Sequence, residues 1–312
     1  MKHLPSINAT ILSSVKVLSC ALPLAVFSGI GSSSGAAAAD DRPATATPPG
    51  KLGAVLDSRP AEVKARYQYR HPYDTLLFFG LRPGMRVGEI GPGTEGWYTQ
   101  IIAPYIGDRG AIFGINYRDD MWAMFTRRTY SEREISERIA RSAEFPELVA
   151  SIDGADGIEA QGFPLDKVPE QLYGTLDLVV SMRELHNPAE LEDSANMLSM
   201  FLEEIIRLLK PGGSFGVVQH RAPEDSDDLW ANGRMGYMKQ SQTIASITAA
   251  GFEFIASSEI NANPKDQPQP GDYVWRLPPA SIFINDEFVA REQEFLSIGE
   301  SDRMTLLFVK PI

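Results

Sequence analysis

The stretch "EIGPGTEG", Glu89 to Gly96, holds Gly91, Gly93 and Gly96 at G-x-G-x-x-G spacing, with an acid two residues before the first glycine. Glycines so spaced let a loop turn tightly and bring its backbone against a ligand, provided the loop ends a strand and opens a helix. "MRVGEI" before it reads as a strand and "EGWYTQIIAPYI" as a helix, so the context is met. A pyrophosphate would be repelled by Glu89 and would lose a backbone donor at Pro92. A cation would be attracted. The loop therefore favours a positively charged ligand over a dinucleotide, the alternative being a tight turn that binds nothing. The chain has only four histidines, and two of them, His186 and His220, directly follow apolar runs in "VVSMRELHN" and "FGVVQHRAPE". Arg183, Glu184, Asn187 and Arg221 crowd the same two loops.

Those loops need a scaffold, and the chain spells one out. After "MRVGEI" and its helix come a strand "GAIFGIN", a charged helix "SEREISERIARSAEF" and a weak strand "GIEAQG". A strong buried strand "TLDLVVSM", a long amphipathic helix "AELEDSANMLSMFLEEIIRLLK" and the strand "GSFGVVQH" follow. Alternation of this kind predicts an α/β fold with a mostly parallel sheet and helices on both faces. The tail gives a helix and strand in "SQTIASITAAGFEFIASSEI", a loop-rich insertion over 261–300, and a last strand "DRMTLLFVKP", together a C-terminal antiparallel hairpin at the sheet edge. Residues 57–80 read as an N-terminal helical cap, with Pro72 in the first turn of its second helix. A single domain over 57–312 results.

Residues 1–39 carry Lys2 and Lys16, no acid, a short apolar run and the small-residue sequence "GAAAADD". This reads as a secretory signal peptide cleaved after Ala39, implying a periplasmic or secreted protein without stable membrane insertion. The Pro- and Ala-rich segment 40–56 reads as a flexible lead. With the leader goes Cys20, the only cysteine, so no disulfide or thiolate ligand is expected in the remainder. Lys plus Arg fall to 27 against 41 acids, a net charge of −14. Such a chain repels phosphate backbones, which argues against nucleic acid and for a small-molecule substrate.

"VGEIGPGTEGWYTQIIAPYIGDRGAIFGIN", "GTLDLVVSMRELHN" and "EIIRLLKPGGSFGVVQH" resemble the class I S-adenosylmethionine-dependent methyltransferases, and "YRHPYDTLLFFGLRPGMRVGEI" is similar to an exported bacterial group of predicted methyltransferases. The resemblance implies a Rossmann-like, seven-stranded fold and S-adenosylmethionine as cofactor, lined by Glu89, Gly91, Gly93 and Gly96. Asn116 would meet the ribose where the family has an acid, with Asp119 or Asp120 as substitutes unless they merely cap a helix. Gln161 and Phe163 are candidates for the adenine. On this reading His186 is the general base and His220 or Glu184 orients it or the substrate. Arg183, Arg221 and Arg234 would hold an acidic acceptor, and Trp230, Tyr237 and Met238 would lid the pocket or simply pack. Two other readings stay open: a non-catalytic binder of an adenosyl compound, and a metal enzyme using His186, His220 and Glu184 or Asp225.

Overall fold

The computed structural model describes residues 50–125 and 127–312. The segment expected to be a signal peptide, with Cys20, and the expected lead as far as residue 49 lie outside the described residues. Eight strands form the sheet: β1 (Arg86–Ile90), β2 (Ala111–Asn116), β3 (Glu159–Pro164), β4 (Leu176–Met182), β5 (Leu209–Ala222), β6 (Met238–Lys239), β7 (Glu253–Ser258) and β8 (Arg303–Val309). Their order is β3-β2-β1-β4-β5-β8-β7, with the two-residue β6 added beside the end of β5. All pairings are parallel except those of β8, which runs antiparallel to both β5 and β7. The mostly parallel sheet with an antiparallel C-terminal pair is the expected fold. The expected edge hairpin is modified, because β8 lies inside the sheet and β7 forms the edge.

Side chains alternate between two apolar layers, as the period of a strand requires. Ile112, Leu178, Val180 and Val218 face one layer, which includes the helix Thr99–Ile106, Leu52 and the cap residue Leu76. Phe113, Val179 and Val217 face the other, built with the helix Met197–Leu208 and with Ile247. Helices thus cover both faces.

Two boundaries differ from the sequence reading. Packing begins within the expected lead, since the helix Gly50–Ser58 buries Leu52, Val55 and Leu56. The long helix expected over 189–210 is broken at Asn196, whose φ of 51° is left-handed; short turns His186–Ala189 and Glu192–Ala195 precede the regular helix.

The helix Glu132–Ala150 starts at a capping box between Ser131 and Glu134 and lies on β2 and β3. It comes close because Gly114 has no side chain: an added Cβ would stand 2.5 Å from the Phe145 ring. Between β7 and β8 the chain forms short helices at Val274–Arg276, Asp286–Ala290 and Glu292–Ile298. A buried ion pair ties this segment down, Arg276 to Asp266 at 2.9 Å, and the Tyr237 hydroxyl accepts from Arg276 at 2.7 Å.

Gly114→Ala should lift the helix Glu132–Ala150 from the sheet and cost about 1–3 kcal/mol through overpacking. Chemical denaturation of the variant measures this loss; an unchanged midpoint would show that Phe145 yields freely.

Candidate functional site

Strand order reverses between β1 and β4, and in open parallel sheets such a reversal opens a crevice at the carboxyl ends of the strands. A cavity of about 650 Å³ lies there, within the range of small-molecule sites. Gly91 and Gly93 border it from the loop after β1, Asn116 from the end of β2 and Tyr117 just beyond it, Glu184 from the loop after β4 and His186 from the helical turn that follows, and His220 from β5. Met235, Trp275 and the run from Leu277 to Ala280 close it from the opposite side.

Glu89 does not line the cavity, which corrects its expected role. Strand alternation puts it on the same face as Val87, toward the helix Thr99–Ile106. There it is buried and accepts a hydrogen bond from the Thr99 hydroxyl at 2.6 Å. Burial raises its pKa to about 7, against the Thr99 hydrogen bond and with help from the nearby Glu184 charge. Gly91 and Gly93 adopt φ of 57° and 72°, values glycine alone takes readily. A Cβ on Gly91 would lie 3.0 Å from the Glu184 carboxyl, so the first glycine makes room for that side chain. Gly96 packs instead against Thr99 and Leu148, away from the cavity.

Glu184 sits in a connected network. The Tyr117 hydroxyl donates to its carboxylate, and Asn187 Nδ2 donates to it at 3.1 Å and to the Tyr117 oxygen at 2.7 Å. Arg127 fixes the Asn187 amide by donating to its oxygen, while pairing with Glu190. Burial raises the Glu184 pKa to about 7, against the hydrogen bond from Tyr117 and the charges of Arg183 and Arg127.

The two histidines are brought together, their ring centroids 5.7 Å apart, and Trp275 meets His186 edge to face at 5.6 Å. His220 Nδ1 shares a 2.6 Å hydrogen bond with the Ser301 hydroxyl, while His186 Nδ1 is buried without a partner. Burial and the charge of Arg127 lower the His186 pKa to about 3; burial, His186 and Arg183 hold His220 well below its ordinary value. Both rings are therefore neutral, and a proton placed on either would leave readily. Of the expected catalytic trio, only Glu184 titrates near neutrality.

Other expected residues disperse. Arg183 lines the cavity with a left-handed φ of 70° and an unpartnered Nε, and Arg234 lines it from an exposed turn. Arg221 is excluded: β5 runs on through it to Ala222, so when His220 faces the cavity Arg221 points away, paired at 2.8 Å with both Asp302 and Glu259. Asp119 and Asp120 pair with Lys167 and Arg118 outside the cavity. Gln161 and Phe163 lie in β3 and do not reach it, Phe163 belonging to the core. Tyr237 is wholly buried with Trp230 stacked on it at 5.3 Å, and Met238 is buried in β6, so these three pack rather than cover the pocket. The covering part falls to Trp275 and the prolines after it. Among the described residues no group of three His, Cys, Asp or Glu side chains is placed to hold a metal ion, Asp225 included.

The sequence reading missed Tyr117, Trp122, Arg127, Tyr130, Arg138 and Arg141, all of which line the cavity. The helical spacing of Arg138 and Arg141 was visible, but which face of their helix meets a ligand is set only by tertiary packing.

Several solved structures are similar to the chain. A [4+2]-cyclase, SpnF, shares 17% identity over 78% of this chain and 80% of its own, with a TM-score of 0.45. An S-adenosylmethionine-dependent methyltransferase from Aquifex aeolicus shares 18% over 68% and 94%, with a TM-score of 0.42. An arsenic(III) S-adenosylmethionine methyltransferase from Chlamydomonas reinhardtii shares 16% over 85% and 74%, with a TM-score of 0.46. No protein family and no curated protein matches the chain.

Glu89 titrates at its ordinary 4.5 when unfolded and at about 7 when folded. The folded state therefore holds the proton more tightly, and stability falls as pH rises through that window. Glu89→Gln should stabilise the protein by about 1–3 kcal/mol at pH 8 and by almost nothing below pH 4.5. Thermal melts across this range test the sign; a variant less stable than the parent at pH 8 would mean the carboxylate is needed ionised.

Proposed function

We propose that the protein is an S-adenosylmethionine-dependent methyltransferase acting on a small-molecule acceptor. The observation that carries this reading is the Glu184 carboxyl held against Gly91 in a cavity at the strand reversal. An acid at that point suits a sulfonium and an ammonium, and it opposes the pyrophosphate of a dinucleotide. Residues Gly91, Gly93, Asn116 and Glu184 would hold the cofactor. When bound, S-adenosylmethionine supplies an electrophilic methyl carbon; the protein has to align the acceptor and take its proton.

Glu184 is the group suited to that proton. Its raised pKa lies near neutrality, where a general base is most effective at neutral pH, and Tyr117 and Asn187 fix its orientation. His186 and His220 then act as neutral walls and hydrogen-bonding partners for the acceptor, in place of the base role expected of His186. Their low basicity also favours a second reading, in which an adenosyl compound is bound without turnover. Intact cofactor binding with no methylated product from any acceptor would select it. The leader-like composition of residues 1–39 supports the reading that either activity follows export, in the periplasm or outside the cell.

Calorimetric titration separates these ideas from a ligand-free turn. S-adenosylmethionine should bind more tightly as pH rises through about 7, while S-adenosylhomocysteine, lacking the positive sulfur, should respond less. Glu184→Gln should weaken S-adenosylmethionine about tenfold at pH 8, or roughly 1.4 kcal/mol, and remove most of the pH dependence. No binding at millimolar concentration would refute the proposal.

A further inference from the structure

The charge of the cavity lining runs opposite to that of the chain. Against a net charge of −12, the lining has six arginines and only two acids, Glu184 and Glu300. Glu300 is already committed: Arg70 and Arg303 donate to it at 3.2 and 2.9 Å, and Arg66 pairs with it too. Arg127 is neutralised by Glu190. Arg128 pairs with Glu134, whereas among the described residues Arg138, Arg141, Arg183 and Arg234 form no ion pair, and of these Arg138 and Arg141 lie one turn apart on the helix Glu132–Ala150. The Arg138 guanidinium lies over the Trp122 and Tyr130 rings, 4.8 and 4.4 Å from their centroids, which holds it in place without discharging it. Arg138 and Arg127 repel through the same region, and Arg141 is repelled by Arg138 while Glu144 and Glu137 partly offset that charge.

Two like charges on a cavity wall, one of them stiffened by stacking and neither closed off by an ion pair, describe an anion site. The aromatic and aliphatic lining beside them, Trp122, Tyr130, Trp275 and Ile282, suits an apolar body attached to the anionic group.

We propose that the methyl acceptor is an amphiphilic anion, a carboxylate or phosphate ester whose acidic group is bound by Arg138 and Arg141 and whose apolar body rests on Trp122, Tyr130 and Trp275. This rests on the methyltransferase reading for the word acceptor, though the anion site does not. Glu184 and the arginine pair then line one cavity, the acid on the loop after β4 and the arginines on the helix Glu132–Ala150.

The test uses the full chain and three probes of similar size: benzoate, phenyl phosphate and neutral benzyl alcohol. Calorimetry should show one or both anions binding at least tenfold more tightly than the alcohol, with affinity falling as salt rises. Preference for benzoate identifies the carboxylate class, and preference for phenyl phosphate the phosphate ester. The double variant Arg138→Gln/Arg141→Gln should lose at least tenfold in anion affinity while S-adenosylhomocysteine binding stays within threefold. Arg133→Gln, on the same helix but exposed and paired with Glu137, should change neither. Equal affinity for the alcohol, no detectable anion binding, or a double variant that binds anions normally overturns the assignment. So does a double variant that loses S-adenosylhomocysteine instead, for the arginines would then serve the cofactor. If the anions behave as expected while the cofactor never binds, the site stands and the methyltransferase reading falls.

Discussion

Parallel strands cannot be joined by tight turns, so each crossover must leave the sheet at a carboxyl end and return along a face. In this protein the crossovers from β1 lead outward through β2 and β3, whereas β4 and β5 lie on the other side of β1. The loops after β1 and β4 therefore diverge, and the space between them is covered only by later parts of the chain, Met235 and the segment around Trp275. Everything functional follows from that gap. The glycine loop borders it, Glu184 stands in it, and the histidines are neighbours because β4 and β5 are paired in register up to Met182 and Val218.

Burial then decides the chemistry of the gap. Two carboxyl groups, Glu89 and Glu184, and two imidazoles share a region that penalises charge, yet the outcomes differ with partners. Both acids are brought near neutrality, whereas the imidazoles, with arginines beside them, are driven far from it. A residue type that usually signals proton transfer is here the less able to retain a proton, and a glutamate becomes the better base.

The parts readable from sequence were those encoded over short distances. The glycine spacing, the strand and helix alternation and the placing of His186 and His220 at strand ends each depend on a few adjacent residues. Glu89 and Arg221 misled because both sit one residue inside a strand, and period-2 alternation turns them away from the crevice. Arg138 and Arg141 went unnoticed for the converse reason. On a charged helix every arginine looks solvated until the helix is docked, and here docking depends on a contact between Gly114 and Phe145 that no local pattern announces.

The position of β8 has a consequence for how the molecule is assembled. The strand that fills the slot between β5 and β7 is synthesised after the segment that roofs the cavity, so the sheet cannot be completed until the roof has been made. Until then β5 presents an open edge, a hazard for self-association during passage through any crowded compartment. Zipping in β8 also draws Glu300 and Ser301, which immediately precede it, against Arg70 and His220. The ligand chamber is thus finished in the same event that seals the fold, and a chain lacking its last strand would lose both together.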